Sequence, residues 1–241
     1  SEAFKAAMTD ALTQAGADMD KMTAAVVAGE LVEETLAADI VVVGGGAAGL
    51  TAGIKALQGG ASVILLEEAG VTGGSTTRSG GYFIASGTSL QKANGIEDTN
   101  DDFFAFYKEI GGDMINDEKV RDFVDNSAAC YEWIVANGAQ FDGVTTVHPT
   151  HTALRVHNSL GGQFMGTGQG GQMTAPMTNS FIAKGGKLIY NAEADGLVLD
   201  AEGNVAGLTA TMKDGSKLTV NAKAVILATG GFGANLEMVA S

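Results

Sequence analysis

Residues Asp39-Ile40-Val41-Val42-Val43-Gly44-Gly45-Gly46-Ala47-Ala48-Gly49-Leu50 decide how this chain folds. Residues 40–43 form an apolar, β-branched run of the kind found in a strand buried on both faces. Helix-forming residues follow Gly49, so the stretch reads as strand, tight turn and helix start. Gly44 to Gly49 satisfies the spacing G-x-G-x-x-G. In that pattern Gly44 permits the turn, Gly46 lets a pyrophosphate approach the backbone, and Gly49 lets helix and strand pack closely. The helix N-terminus then turns unpaired N–H groups toward the phosphates.

A glycine pattern alone is weak in a chain of 241 residues that contains 35 glycines. The context strengthens it. A second strand, residues 61–66, ends at Glu67, about 20 residues beyond the turn, where an acid that binds a ribose is expected. An acid there favours a free 2′-hydroxyl over a 2′-phosphate. The plainer alternative is a glycine turn in another α/β unit with Glu67 a solvated strand end, and it explains fewer of these coincidences.

Composition excludes several classes. Lys and Arg number 14 against 28 Asp and Glu, a net charge of -14, which argues against nucleic acid and against anionic membrane surfaces as partners. Cys130 is the single cysteine, so an internal disulfide and a thiolate metal cluster are ruled out, and it reads as a small buried residue. No apolar run approaches the roughly 18 residues that span a bilayer. A chain of this length can bury about 70% of its unfolded surface, enough for one or two domains. The compartment stays open between the cytoplasm and a bacterial extracytoplasmic space. Ser1 is no initiator Met and Ser241 falls in a helical pattern, so both ends read as cuts.

In chain order, Phe4, Met8 and Leu12 recur at helical spacing, and a second helical pattern runs from Asp18 or Asp20 to about Leu36. After the second strand comes Gly73-Gly74-Ser75-Thr76-Thr77-Arg78-Ser79-Gly80-Gly81, a polar glycine-rich loop able to press its backbone against a flat ligand. Two helices follow, one capped by Thr99 or Asn100 and ended near Gly111, the other capped by Asn116 and stopped by Gly138. Val120, Phe123, Val124, Tyr131, Ile134 and Val135 fall on one face of the second, and Phe103, Phe104, Phe106 and Trp133 read as core.

Residues 141–172 look irregular and hold all three histidines, His148, His151 and His157, with Arg155. Known ligand spacings are missing around them, so a metal site is not predicted. Arg155 and His157 suit a carboxylate ligand chemically, but the structural reading comes first. A helix over 172–183 and a parallel-type strand over 187–190 are expected next. Residues 196–200, 205–212 and 217–220 then read as a β-meander. An apolar strand over 224–227 closes the run, with a second glycine turn at Thr229-Gly230.

Together these pieces resemble the FAD-containing flavoproteins of the fumarate reductase and succinate dehydrogenase family, including the soluble enoate reductases. Four motifs in one order carry the likeness: the glycine fingerprint, Glu67-Glu68, the second glycine loop, and Ala-Thr-Gly-Gly-Phe-Gly-Ala-Asn after the meander. The resemblance implies an α/β, Rossmann-like FAD-binding domain with a parallel sheet, flanking helices and a β-meander over residues 38–241, incomplete at its C-terminus. It implies that Gly44, Gly46, Ala48 and Gly49 hold the pyrophosphate and that Glu67, with Glu68 beside it, faces the adenosine ribose. Ser75, Thr76, Gly80 and Gly81 match positions along the isoalloxazine and ribityl chain, in a loop that also brings Gly73, Gly74 and Ser79 to the cofactor. Ala194, Thr229 and Gly230 match backbone contacts on the adenine side.

Family members with covalent FAD carry a histidine in the second loop. Gly74 stands near its place here, so the FAD is expected to be dissociable. The family's substrate-binding and proton-delivering histidines and arginines lie beyond the Ala-Thr-Gly-Gly turn, so no catalytic residue is assigned in this chain. Residues 1–37 form a separate helical segment whose first helix is similar to the end of the FMN-binding domain that precedes the FAD domain in some members. The implied activity is reduction of the C=C bond of a small unsaturated carboxylate such as fumarate, or the reverse dehydrogenation, with the electron donor open. Alternatives are a nicotinamide-dependent dehydrogenase and a non-catalytic FAD-binding module.

Overall fold

The computed structural model describes residues 31–148, 151–160 and 169–240, together with Ala6, Thr9, Asp10, Thr13 and Gln14. Those five are helical, and the Thr13 hydroxyl donates to the Thr9 carbonyl one turn back. The predicted apolar positions Phe4, Met8 and Leu12, and most of the second helical pattern, lie outside the described residues.

The first half of the chain gives β1 (Glu33–Val43), α1 (Ala47–Gln58), β2 (Val63–Glu67), α2 (Gly74–Arg78), β3 (Tyr82–Ile84), α3 (Ser89–Ala93), α4 (Asn100–Gly111) and α5 (Asp117–Ala136). The second half gives β4 (Phe141–His148), β5 (His151–Ser159), α6 (Gly171–Ala183), β6 (Lys187–Tyr190), β7 (Ala192–Leu199), β8 (Val205–Met212), β9 (Lys217–Leu227) and α7 (Leu236–Ala240).

A valine run with no polar alternation must be covered from both sides, and Val41, Val42 and Val43 are. Val42 packs with Leu50 and Ile54 of α1 and Met177 and Phe181 of α6, whereas Val41 and Val43 pack with Leu208, Leu218 and Val220 of the meander. The main sheet has strand order β6-β2-β1-β9-β8-β7. Its β6, β2, β1 and β9 are mutually parallel, and β8 and β7 continue it antiparallel.

Two predicted boundaries are corrected. Glu33 to Leu36 are strand, because they pair in parallel register with Lys217 to Val220, and this pairing overrides their local helical pattern. For the same reason the last meander strand and the apolar closing strand are one element. β9 runs unbroken from Lys217 to Leu227 along the whole of β1. Beside its midpoint, Asp39 Oδ1 accepts from Lys223 Nζ at 2.7 Å, and Oδ2 accepts from the Ser62 N–H at 2.8 Å and its hydroxyl at 2.7 Å. Lys223 first, and Ser62 after it, hold the Asp39 carboxyl well below the usual carboxylate range.

Within the stretch 141–172 read as irregular, residues 141–148 and 151–159 instead form paired antiparallel strands, and β3 joins them in a second sheet of order β3-β5-β4. Thr99 and Asn116 cap α4 and α5 as read, accepting from Asp102 N and Lys119 N. On α5 the buried stripe is narrower than predicted. Val124, Ser127 and Tyr131 are buried, while Phe123 and Val135 keep 45% and 38% of their surface. Cys130 is exposed, correcting the buried assignment. It sits one residue, about 100° of helix rotation, from the stripe through Tyr131.

Candidate functional site

The C-terminal ends of β1, β2 and β9 meet at the fingerprint turn. Gly44 N donates to Leu66 O at 2.8 Å, and Ala228 N donates to Val43 O at 2.8 Å. Gly44 has φ +101°, and a Cβ there would lie 2.4 Å from Ala228 O. A Cβ on Gly49 would lie 1.8 Å from Gly44 O, so α1 can rest on the turn only through glycine. The two glycine loops are joined directly: Gly73 N donates to Gly45 O at 2.8 Å, and Gly46 forms a parallel bridge with Gly73.

Around this junction lies a cavity of about 550 Å³. Its wall includes Gly44, Gly46, Ala48, Glu67, Glu68, Gly74, Ser75, Thr76, Ala194, Thr229 and Gly230 of the expected site. Gly49, Gly73, Ser79, Gly80 and Gly81 stand outside the wall. Gly49 carries the helix packing and Gly73 the bridge, while Ser79 O accepts from Gln169 N and Gly170 N. Gly81 O accepts from Ser159 N beside the paired strands β3 and β5. The stretch read as a polar glycine-rich loop holds a short helix, α2, and leads into β3.

Glu67 is buried, with both carboxyl oxygens occupied by backbone: Oε2 accepts from Gly45 N at 2.7 Å and Oε1 from Ala69 N at 2.9 Å. A carboxylate offers about four acceptor positions, so each oxygen retains one for a ligand hydroxyl. Glu68 and Glu193 stand in the same wall, and Arg78 is the one Lys or Arg among the described residues that line it. Sequence reasoning did not assign Thr72, Thr77, Arg78 and Glu193 to the site, and all four line the wall. Only position in the fold makes them neighbours, although Thr77 and Arg78 belonged to the quoted loop.

Arg155 and His157 do not reach this cavity. Arg155 makes a two-pronged pair with Asp98, Nη2–Oδ1 2.6 Å and Nε–Oδ2 3.0 Å, with both side chains nearly fully buried. Its guanidinium lies 4.9 Å from the Phe103 ring centre and 5.3 Å from that of Phe106. His157 is buried, with Nε2 2.7 Å from Thr88 Oγ1 and Nδ1 3.2 and 3.1 Å from the Phe83 and Arg155 carbonyls. The carbonyls require the proton on Nδ1, so Nε2 accepts from Thr88. Burial pushes the imidazole below its ordinary value. Among the described residues, no group of three or more His, Cys, Asp or Glu could hold a metal ion.

This arrangement puts a glycine turn and a helix N-terminus at the carboxyl ends of parallel strands, with helices on one face of the sheet and the meander on the other, the place where Rossmann-like sheets take their ligands. A family profile described as an FAD binding domain matches residues 39–241. The chain is 36% identical over 203 residues to the urocanate reductase of Eggerthella lenta, a match covering 83% of this chain and 32% of that protein. Its fold superposes on an open-conformation flavocytochrome c3 fumarate reductase with TM-score 0.75 and 30% identity, covering 92% of this chain and 38% of that one. The 3-ketosteroid-Δ4-(5α)-dehydrogenase of Rhodococcus jostii RHA1 gives TM-score 0.75 and 30% identity, covering 85% and 48%. The chain belongs to the FAD-binding family of fumarate reductase and succinate dehydrogenase flavoproteins. It spans about a third of the length of the curated relative.

The residues present fit FAD. The N-terminus of α1 has Gly46 as its cap, no side chain bonded over it and no acid in its first turn, leaving N–H donors for a pyrophosphate. Gly46, Gly74 and Gly230 leave the wall bare of side chains where a flat ring or a phosphate can lie on backbone. Among the described residues, no helix is long and apolar enough to cross a membrane.

Proposed function

We propose that this chain is the FAD-binding part of an oxidoreductase acting on the C=C bond of a small unsaturated carboxylate, such as fumarate or urocanate, or running the reverse dehydrogenation. The observation that carries it is the single cavity into which the fingerprint turn, Glu67, α2 and Thr229-Gly230 all open. Bound FAD supplies the hydride chemistry. The chain's own part is to hold it: the α1 N-terminus takes the pyrophosphate, Glu67 and Glu68 take the adenosine ribose, and Ser75 and Thr76 take the flavin half. The names of the urocanate and fumarate reductases support the carboxylate substrate. The ketosteroid dehydrogenase marks a competing one, an enone within a fused ring.

The described wall contains no histidine, cysteine or tyrosine. That supports a dissociable FAD. FMN on an upstream domain is part of the same reading, supported by the resemblance of the first helix.

The test is a visible spectrum of the purified chain, repeated on the supernatant after denaturation, with reductase assays on fumarate, urocanate and a steroid enone using a reduced dye. Released FAD is the expected result, with carboxylate turnover expected of the whole protein, since this chain spans about a third of its curated relative. Colour that stays on the polypeptide refutes dissociable binding. Turnover by this chain alone removes the alternative of a non-catalytic module, and NADH binding by flavin-free protein turns the reading to a nicotinamide enzyme.

A further inference from the structure

α6 has no acid or base in its first turn, yet it carries Thr174 and Thr178, both buried, one turn apart on one face. Helix interiors disfavour β-branched residues, and burying a hydroxyl requires a partner. Their partners are Thr77 of the second glycine loop and Thr72, the residue just before it. Thr72 Oγ1 lies 2.8 Å from Thr178 Oγ1, and Thr77 Oγ1 lies 2.9 Å from Thr174 Oγ1.

The direction of these bonds follows from the helix. Thr178 Oγ1 donates to Thr174 O at 2.8 Å, and Thr174 Oγ1 donates to Gly170 O at 3.3 Å. A hydroxyl has one proton, so each α6 oxygen accepts from its loop partner. Thr72 and Thr77, which also line the cavity, therefore donate into α6. Between these two anchored residues lie Gly74, Ser75 and Thr76, which form cavity wall. A third contact flanks them, since a Cβ on Gly170 would lie 1.8 Å from Thr76 O.

We propose that Thr174 and Thr178 are positioning residues that hold the ends of the Thr72–Thr77 segment so that its backbone presents one fixed surface to the flavin half of FAD. They act through the loop and do not touch the cofactor. The inference rests on the FAD reading, in which this loop serves the flavin half and the fingerprint turn the adenosine half.

The experiment compares FAD with ADP, which lacks the flavin half, by titrating flavin-free chain and its Thr174→Val and Thr178→Val variants. Each hydroxyl removed should weaken FAD about three- to tenfold, the size of one neutral hydrogen bond. ADP affinity should stay within about twofold, and Thr174→Ser and Thr178→Ser should restore FAD binding. If either valine variant does not fold, Gly170→Ala, which presses on the same segment from its flank, must show the same split. Equal loss of FAD and ADP, or no loss of either, overturns the proposal. Wild-type chain that binds ADP but not FAD overturns the FAD reading itself, and this inference with it.

Discussion

Glu67 Oε2 accepts a 2.7 Å hydrogen bond from the Gly45 N–H, tying the end of the second strand to the middle of the fingerprint turn. Its other oxygen takes the Ala69 N–H, so one side chain sets two pieces of the cavity wall. Glu67→Ala leaves a buried N–H without its partner, at a cost of about 1–3 kcal/mol. The expected outcome is that loss of stability in urea melts together with at least tenfold weaker FAD binding. Normal FAD affinity in the variant would show that ribose and turn are held by other groups.

The Asp98–Arg155 pair behaves differently, because both side chains are nearly fully buried. Removing one partner from a buried pair typically costs about 3–5 kcal/mol, since the other charge is left uncompensated. Asp98→Ala should therefore unfold far more readily than wild type. Adding Arg155→Met to it should recover part of the loss, and a double variant less stable than Asp98→Ala alone would contradict this.

His157 gives a pH dependence of known sign. Burial lowers its folded-state value, so between the folded and unfolded values the unfolded chain binds more protons. Stability is full above the unfolded value, about 6.5, and falls as the pH drops below it. Chemical denaturation of His157→Gln between pH 7.5 and 5, compared with wild type, should show a flatter profile. Parallel profiles would mean that other groups set the slope.

Asp39 works in the same sense at lower pH. Lys223 and Ser62 depress its carboxyl, so its contribution is present above the unfolded value, about 3.9, and lost as pH falls through the folded one. Asp39→Asn should be less stable than wild type at pH 6, with the gap closing in strong acid. A gap that persists there would assign the effect to packing.

The strand–turn–helix reading of residues 39–50, the caps at Thr99 and Asn116, and the acid at the end of β2 were legible in the linear chain. Each depends on local geometry or on a short fixed spacing, which neighbouring residues alone impose. The continuity of β9 and the strand at Glu33–Leu36 were not, because a parallel partner 184 residues away, Lys217 opposite Glu33, stabilises them. Cys130 was misjudged since burial on α5 depends on which part of the stripe meets a neighbour. The fate of Arg155 and His157 was likewise decided by Asp98 and Thr88, partners that no spacing announces.

By itself, then, the sequence determined the dinucleotide turn, the order of motifs and the family. Tertiary structure alone decided that Glu67 clamps Gly45 and that α6 braces the second glycine loop. The physical reason is that a hydrogen bond between groups far apart in the chain exists only after the strands and helices carrying them have packed.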